Sequence, residues 1–163
     1  MIENISPGGK MLRRWRQLRG VPGGCWLFNH VLAQMVPYSG ALGARVIELE
    51  PGFARIELPD RRRVRNHLDS IHAVALANLG ELASGLAMMA ALPEGLRGIV
   101  TSLHIDYLKK ARGTLIAESR SQLPDRLAEL NEDVGLKVVS EIRDADHDIV
   151  ARAEVCWRLG PVR

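Results

Sequence analysis

The chain has 163 residues, of which 47% are hydrophobic and 25% charged, with a net charge of +3. That is enough for one domain with a proper core, and it excludes a disordered or low-complexity polypeptide. Aromatic residues make up only 4%, which argues against an aromatic platform for stacking nucleic-acid bases, so no nucleic-acid partner is expected.

The first residues carry no basic segment followed by an apolar run, so no signal peptide is read and a cytoplasmic location is expected. Cys25 and Cys156 stand far apart in apolar surroundings and match no metal-ligand spacing. Met11 to Arg19 places Leu12, Trp15 and Leu18 at helical spacing on a short basic helix. It reads as an outer helix packed on the domain, with a membrane-surface or partner contact as the alternative and no stable membrane insertion. Glycines and Pro22 then break the chain. Cys25 to Val36 resumes a helical pattern, and Pro37 ends it.

From Ala44 the period changes to that of a strand. Ala44–Glu50 and Phe53–Leu58 alternate around Pro51-Gly52 and form a hairpin. Arg61, Arg62, Arg63 and Arg65 follow as a basic cluster, readable as a solvated loop or as a phosphate contact at the mouth of a site. His72 to Leu92 is then apolar almost all round, which belongs inside a protein; Asp69 or Ser70 is expected to cap it. Gly98–Lys109, Arg112–Gln122, Val134–Arg143 and Ile149–Leu159 read as four more strands, with a polar connection from Pro124 to Glu132. The acidic turn from Asp144 to Asp148 reads as a turn rather than a metal site. One sheet must therefore cover one helix. The fold class is α+β: a curved antiparallel sheet of about six strands wrapped around a long buried helix. Residues 1–40 are expected to form a helical extension packed on a domain of residues 41–163.

Glu81 raises the question of function. A carboxylate within a dry helix costs free energy unless something pairs with it or uses it, and burial raises its pKa. Such a group serves as a general base or a nucleophile. The start of the helix offers unpaired amides, Ala73 among them, as an oxyanion hole. Asn66 carries an amide that can orient a water or bind a carbonyl. Asn78 and Ser84 each stand one turn from Glu81, where they can bond it or place a water. His72 reads as a residue of the helix start that touches backbone groups.

The segment Asn66-His67-Leu68-Asp69-Ser70-Ile71-His72-Ala73-Val74, followed by Leu79-Gly80-Glu81-Leu82-Ala83, resembles the PaaI-type acyl-CoA thioesterases of the hotdog superfamily. Their pattern is an Asn, a His six residues on, two small residues, and an acidic residue nine after the His. Tyr107-Leu108-Lys109-Lys110-Ala111-Arg112-Gly113 is similar to the family's strand end, with Lys110 in place of a proline and the glycine one residue early. The chain looks like an uncharacterised branch of that superfamily.

The resemblance implies hydrolysis of an acyl-CoA or acyl-carrier-protein thioester. Glu81 would act as base or nucleophile and the Ala73 amide as oxyanion donor, with Asn66 and His72 beside them. It implies no metal and no cofactor beyond the CoA of the substrate. It also implies a homodimer, or a tetramer built as a dimer of dimers, in which each site takes Glu81 from one subunit and the helix start from the other. Candidates for holding substrate are Arg61, Arg62, Arg63, Arg65, Asn78, Ser84, Lys109, Lys110 and Arg112. The sequence departs from the family where Ala73 and Val74 replace the usual small pair, and where Gly85 replaces a hydroxyl residue four after the carboxylate. Two other readings stand beside this one: a hotdog hydratase or dehydratase using His67 and Glu81, and a non-catalytic acyl-binding module.

Overall fold

The computed structural model describes residues 6–125, 127 and 132–162. Three helices come first: α1 (Pro7–Leu18), α2 (Gly24–Met35) and the short α3 (Pro37–Gly40). Strands β1 (Arg45–Glu50) and β2 (Phe53–Leu58) follow, then a 3-10 turn at Arg62–Val64 and the long helix α4 (Ala73–Ala91). Strands β3 (Leu96–Tyr107), β4 (Leu115–Arg120), β5 (Val134–Arg143) and β6 (Ile149–Pro161) complete the chain. The six strands form one antiparallel sheet in the order β1-β2-β4-β5-β6-β3. Its concave face holds α4, which is the hotdog arrangement.

Each element follows from local chemistry. Helix α1 begins earlier than Met11 because Ser6 caps it: its Oγ accepts from the Gly9 N–H at 2.9 Å, and Pro7 occupies the first turn. The same hydroxyl donates to the Leu92 carbonyl at 3.1 Å. Leu12 and Trp15 are buried, and Trp15 meets Phe28 edge-on at 5.1 Å. Through these residues α1 packs on α2 and α4. A side chain at Gly8 would run into the Met89 carbonyl, so α1 can cross the end of α4 closely. Much of the polar connection expected at 124–132 lies outside the described residues.

Helix α4 starts at Ala73, not at Ser70. The cap is neither Asp69 nor Ser70 but His72, whose Nδ1 accepts from the Val74 N–H at 3.1 Å. The loop before it is held by its own bonds, which keep Ser70 and Ile71 out of the helix (see below).

Coverage of α4 is uneven. From Ala83 to Met88 every residue is buried. In its first half Ala73 and Val74 are exposed, and Ala77, Asn78 and Glu81 are only partly covered. Residues 74, 77, 78 and 81 lie on one stripe of a helix. The sheet of a single chain therefore leaves an open strip along α4, ending at Glu81. Strand β3 is exposed as well. It pairs with β6 on one side and forms an edge of the sheet on the other. A register shift between Val100 and Ser102 interrupts its alternation, and Ile99, Val100, Leu103 and Tyr107 all face solvent.

Candidate active site

The loop from Arg65 to His72 is pinned by Asn66. Its Oδ1 accepts from the Leu68 N–H at 2.9 Å, the Ser70 N–H at 3.3 Å and the Ser70 hydroxyl at 3.2 Å. Its own N–H donates to the Ser70 carbonyl at 2.8 Å. With its oxygen committed, Asn66 presents only its Nδ2 donors to anything outside the loop. The loop is anchored on both sides. The Ile71 N–H donates to the Ala111 carbonyl and the His72 N–H to the Val64 carbonyl, each at 2.8 Å. The two stretches that carry the family resemblance thus lie against each other. Asp60 ties them further, accepting from Arg65 Nε at 2.6 Å and from the Gly113 N–H at 3.0 Å, and Arg65 holds its carboxyl below the usual range.

These anchors set the first turn of α4. Val74 is capped by His72, and the Leu76 N–H reaches the His72 carbonyl at 3.1 Å. The Ala73 N–H donates to no group among the described residues. It stands exposed at the positive end of the helix dipole. Tyr107 at the end of β3 donates its hydroxyl to the Ala73 carbonyl at 3.1 Å and steadies the same residue. His72 accepts through Nδ1, so it is a capping residue of the helix.

Glu81 faces the open strip. Burial pushes its carboxyl pKa up. Among the described residues no cation pairs with the carboxylate and no donor bonds to it. It stands eight positions after Ala73, about 12 Å along the helix at about 1.5 Å per residue. Within one chain, the Glu81 carboxylate and the Ala73 amide cannot reach the same atom.

The other candidates separate into groups. Arg63, Arg65, His72 and Asn78 come together, with Val74 and Ala75, around a groove of about 400 Å³ beside the start of α4. Tyr38 and Leu42, which no sequence pattern singles out, complete its wall. Asn78 Oδ1 is buried without a hydrogen-bond partner. Arg61 lines a neighbouring hollow with Arg45 and Glu57, its guanidinium near that of Arg63 beside Gly43, and Arg62 is exposed on the 3-10 turn. Lys109, Lys110 and Arg112 line a separate hollow with Asp144 and Asp146. Lys109 is held there by Asp144 and Asp148 at 2.7 Å each. Asp144 also accepts from the Asp146 and Asp148 N–H groups, so its carboxylate builds the turn.

Ser84 is corrected by the structure. It is wholly buried, donates to the Glu81 backbone carbonyl at 2.8 Å and accepts from Trp157 Nε1 at 3.2 Å. It braces the helix and cannot meet a substrate. The Trp157 ring also explains Gly85, since a Cβ there would stand 3.1 Å from the ring and leave no space for a hydroxyl side chain. His67, the residue of the hydratase reading, is exposed on the loop six residues before the helix.

Comparison with known proteins agrees with this architecture. Residues 24–159 match the family DUF4442, described as a domain of unknown function. A protein described only as a structural-genomics target is 30% identical, with 95% of this chain and 99% of that one covered and a TM-score of 0.78. A Pseudomonas aeruginosa protein of unknown function, described as a probable thioesterase, is 22% identical over 82% of this chain and 93% of its own, TM-score 0.73. A Ralstonia eutropha phenylacetic acid degradation-related protein, described as a candidate thioesterase, is 18% identical over 75% and 89%, TM-score 0.63. No curated protein matches the chain. The chain is a member of the DUF4442 family and has the hotdog fold that these solved structures share.

Proposed function

We propose that the protein hydrolyses an acyl thioester of CoA or of an acyl carrier protein, in a homodimer whose two sites are each shared between subunits. The observation that carries this reading is the half-buried, unpartnered Glu81 carboxylate on the open strip of α4, about 12 Å from the free Ala73 amide. Two copies placed side by side with their α4 helices antiparallel bring Glu81 of one to the helix start of the other. The exposed β3 edge and its apolar side chains favour such pairing.

Glu81 takes a proton from a water, and the resulting hydroxide attacks the thioester carbonyl carbon. The oxyanion is held by the Ala73 N–H of the partner subunit, with Asn66 Nδ2 as a second donor. The carbon–sulfur bond then breaks, and the thiolate recovers the proton from Glu81. The products are a carboxylic acid and a thiol, so water is the only co-reactant. Arg63 and Arg65 at the groove beside α4 suit the phosphates of CoA. A panel of acyl-CoAs scored by thiol release tests the reading. Wild-type protein is expected to release thiol, and Glu81→Gln to bind acyl-CoA yet hydrolyse it at least a hundredfold more slowly. Equal rates in a folded, dimeric Glu81→Gln protein would reject catalysis by Glu81.

A further inference from the structure

Helix α2 is left uncovered in a way the proposed reaction does not use. It carries no Asp, Glu, Lys or Arg, and of its twelve residues only Gly24 and Phe28 are buried. Trp26 is 70% exposed, Met35 67%, Leu27 44% and Val31 38%. With His30 and Gln34 they make up the outer half of the helix. An uncharged helix of this kind calls for an apolar or interfacial neighbour.

Cations flank it. From Ser6 to Ile47 the sequence contains six cations and no carboxylate; Arg16 and Arg19 pair with Glu50 and Arg45 with Glu57, whereas Lys10 and Arg14 stand along the groove beside α2. Between α1 and α2 runs a groove of about 470 Å³. Its floor is apolar, with Met11, Leu18, Phe28 and Leu32. Leu27, Val31 and Met35 form one wall, Lys10 and Arg14 stand on the other, and no acidic residue lines it.

We infer that this α1–α2 face docks reversibly on the surface of an anionic phospholipid bilayer. The exposed apolar side chains of α2 enter the boundary between headgroups and acyl chains, and Lys10 and Arg14 meet lipid phosphates. A bilayer is favoured over a protein partner by the breadth of the uncharged face together with the cations along its flank. An interfacial tryptophan, Trp26, at its edge has the same preference. The inference is independent of thioester hydrolysis, and none of its readouts involves activity.

The molecule carries its own reporter, because Trp15 and Trp157 are buried and Trp26 is exposed. The full chain is mixed with vesicles of phosphatidylcholine alone, or of phosphatidylcholine with about 30% phosphatidylglycerol. Co-sedimentation and tryptophan emission are then measured at low and high salt. The expected result is at least fivefold more protein on the anionic vesicles, a blue shift in emission, and loss of both in high salt. Trp26→Phe should keep sedimenting but lose the shift. Leu27→Asp with Met35→Asp should reduce binding at least tenfold, and Lys10→Glu with Arg14→Glu at least fivefold, with unchanged circular dichroism. The inference is overturned if the protein ignores both vesicles, or binds neutral and anionic ones alike. It is also overturned if the Leu27→Asp/Met35→Asp protein changes oligomeric state, because the face would then cover a second copy.

Discussion

Replacing Ala73 by proline removes one N–H and little else. Ala73 is the first residue of α4, its amide has no intrahelical acceptor, and proline is at home in that position. His72 already has ψ 139°, the extended conformation that a residue before proline needs. The change should therefore cost less than about 1 kcal/mol of stability, read from a denaturation midpoint. If the amide steadies an oxyanion, its loss should slow thiol release about 100- to 1000-fold, or about 2.7–4 kcal/mol. Ala73→Val, which keeps the N–H and adds similar bulk, separates the donor from simple crowding and should retain most activity. The Ala73→Pro and Glu81→Gln proteins should then rescue each other. Random exchange gives half heterodimers, each with one intact site of two, so mixing should restore about a quarter of wild-type activity. A fully active Ala73→Pro protein would refute the oxyanion role, and two inactive variants that stay inactive after verified exchange would refute the shared site.

Burial raises the Glu81 pKa in the folded state, so stability from this group is full below the unfolded value near 4.5 and is lost as pH rises through the folded one. Glu81→Gln should flatten that slope, matching wild type in acid and exceeding it in denaturation at neutral pH. Ser84→Ala leaves the Trp157 N–H buried and unpaired and should cost about 1–3 kcal/mol by chemical denaturation, with little change in the pH profile of hydrolysis. Leu103→Lys puts a charge on the exposed β3 edge and should weaken the dimer at least tenfold in analytical ultracentrifugation, lowering activity in parallel while the monomer stays folded. Gly80→Val drives a side chain from α4 into Ala153 of β6 and should cost about 1–3 kcal/mol or more in thermal unfolding.

The order of elements was legible because periodicity and punctuation agreed along most of the chain. Pro51-Gly52 made the first hairpin readable, and Gly52 has the positive φ that turn requires. The unbroken apolar stretch after His72 announced a core helix. Its starting point was not legible, since Ser and Asp are ordinary caps and both stood in place. What decided it was Asn66, whose side chain accepts from three groups of the loop and holds Ser70 in a turn. Local propensity cannot weigh such a network against a cap. Ser84 failed for a related reason. On a helix it is a neighbour of Glu81, but the sheet had already supplied Trp157, seventy-three residues away, to take its hydroxyl.

The uneven cover of α4 has a physical consequence for where chemistry can lie. A helix closed on every side has no room for substrate, and one open along its whole length would not hold the sheet. Here the C-terminal half, from Ala83 to Met88, is sealed and anchors the core, whereas the strip through Val74, Asn78 and Glu81 is left half-open. Glu81 stands at the boundary between the two. It is desolvated enough to be a stronger base than a surface glutamate, yet within reach of a molecule lying along the strip. Deeper by one turn it would be locked behind Trp157. Nearer the helix start it would lie in water and share a carbonyl with its own Ala73 amide, and no second subunit would be needed. The position of this one carboxylate therefore ties the raised pKa, the open strip and the proposed shared site to a single geometric cause.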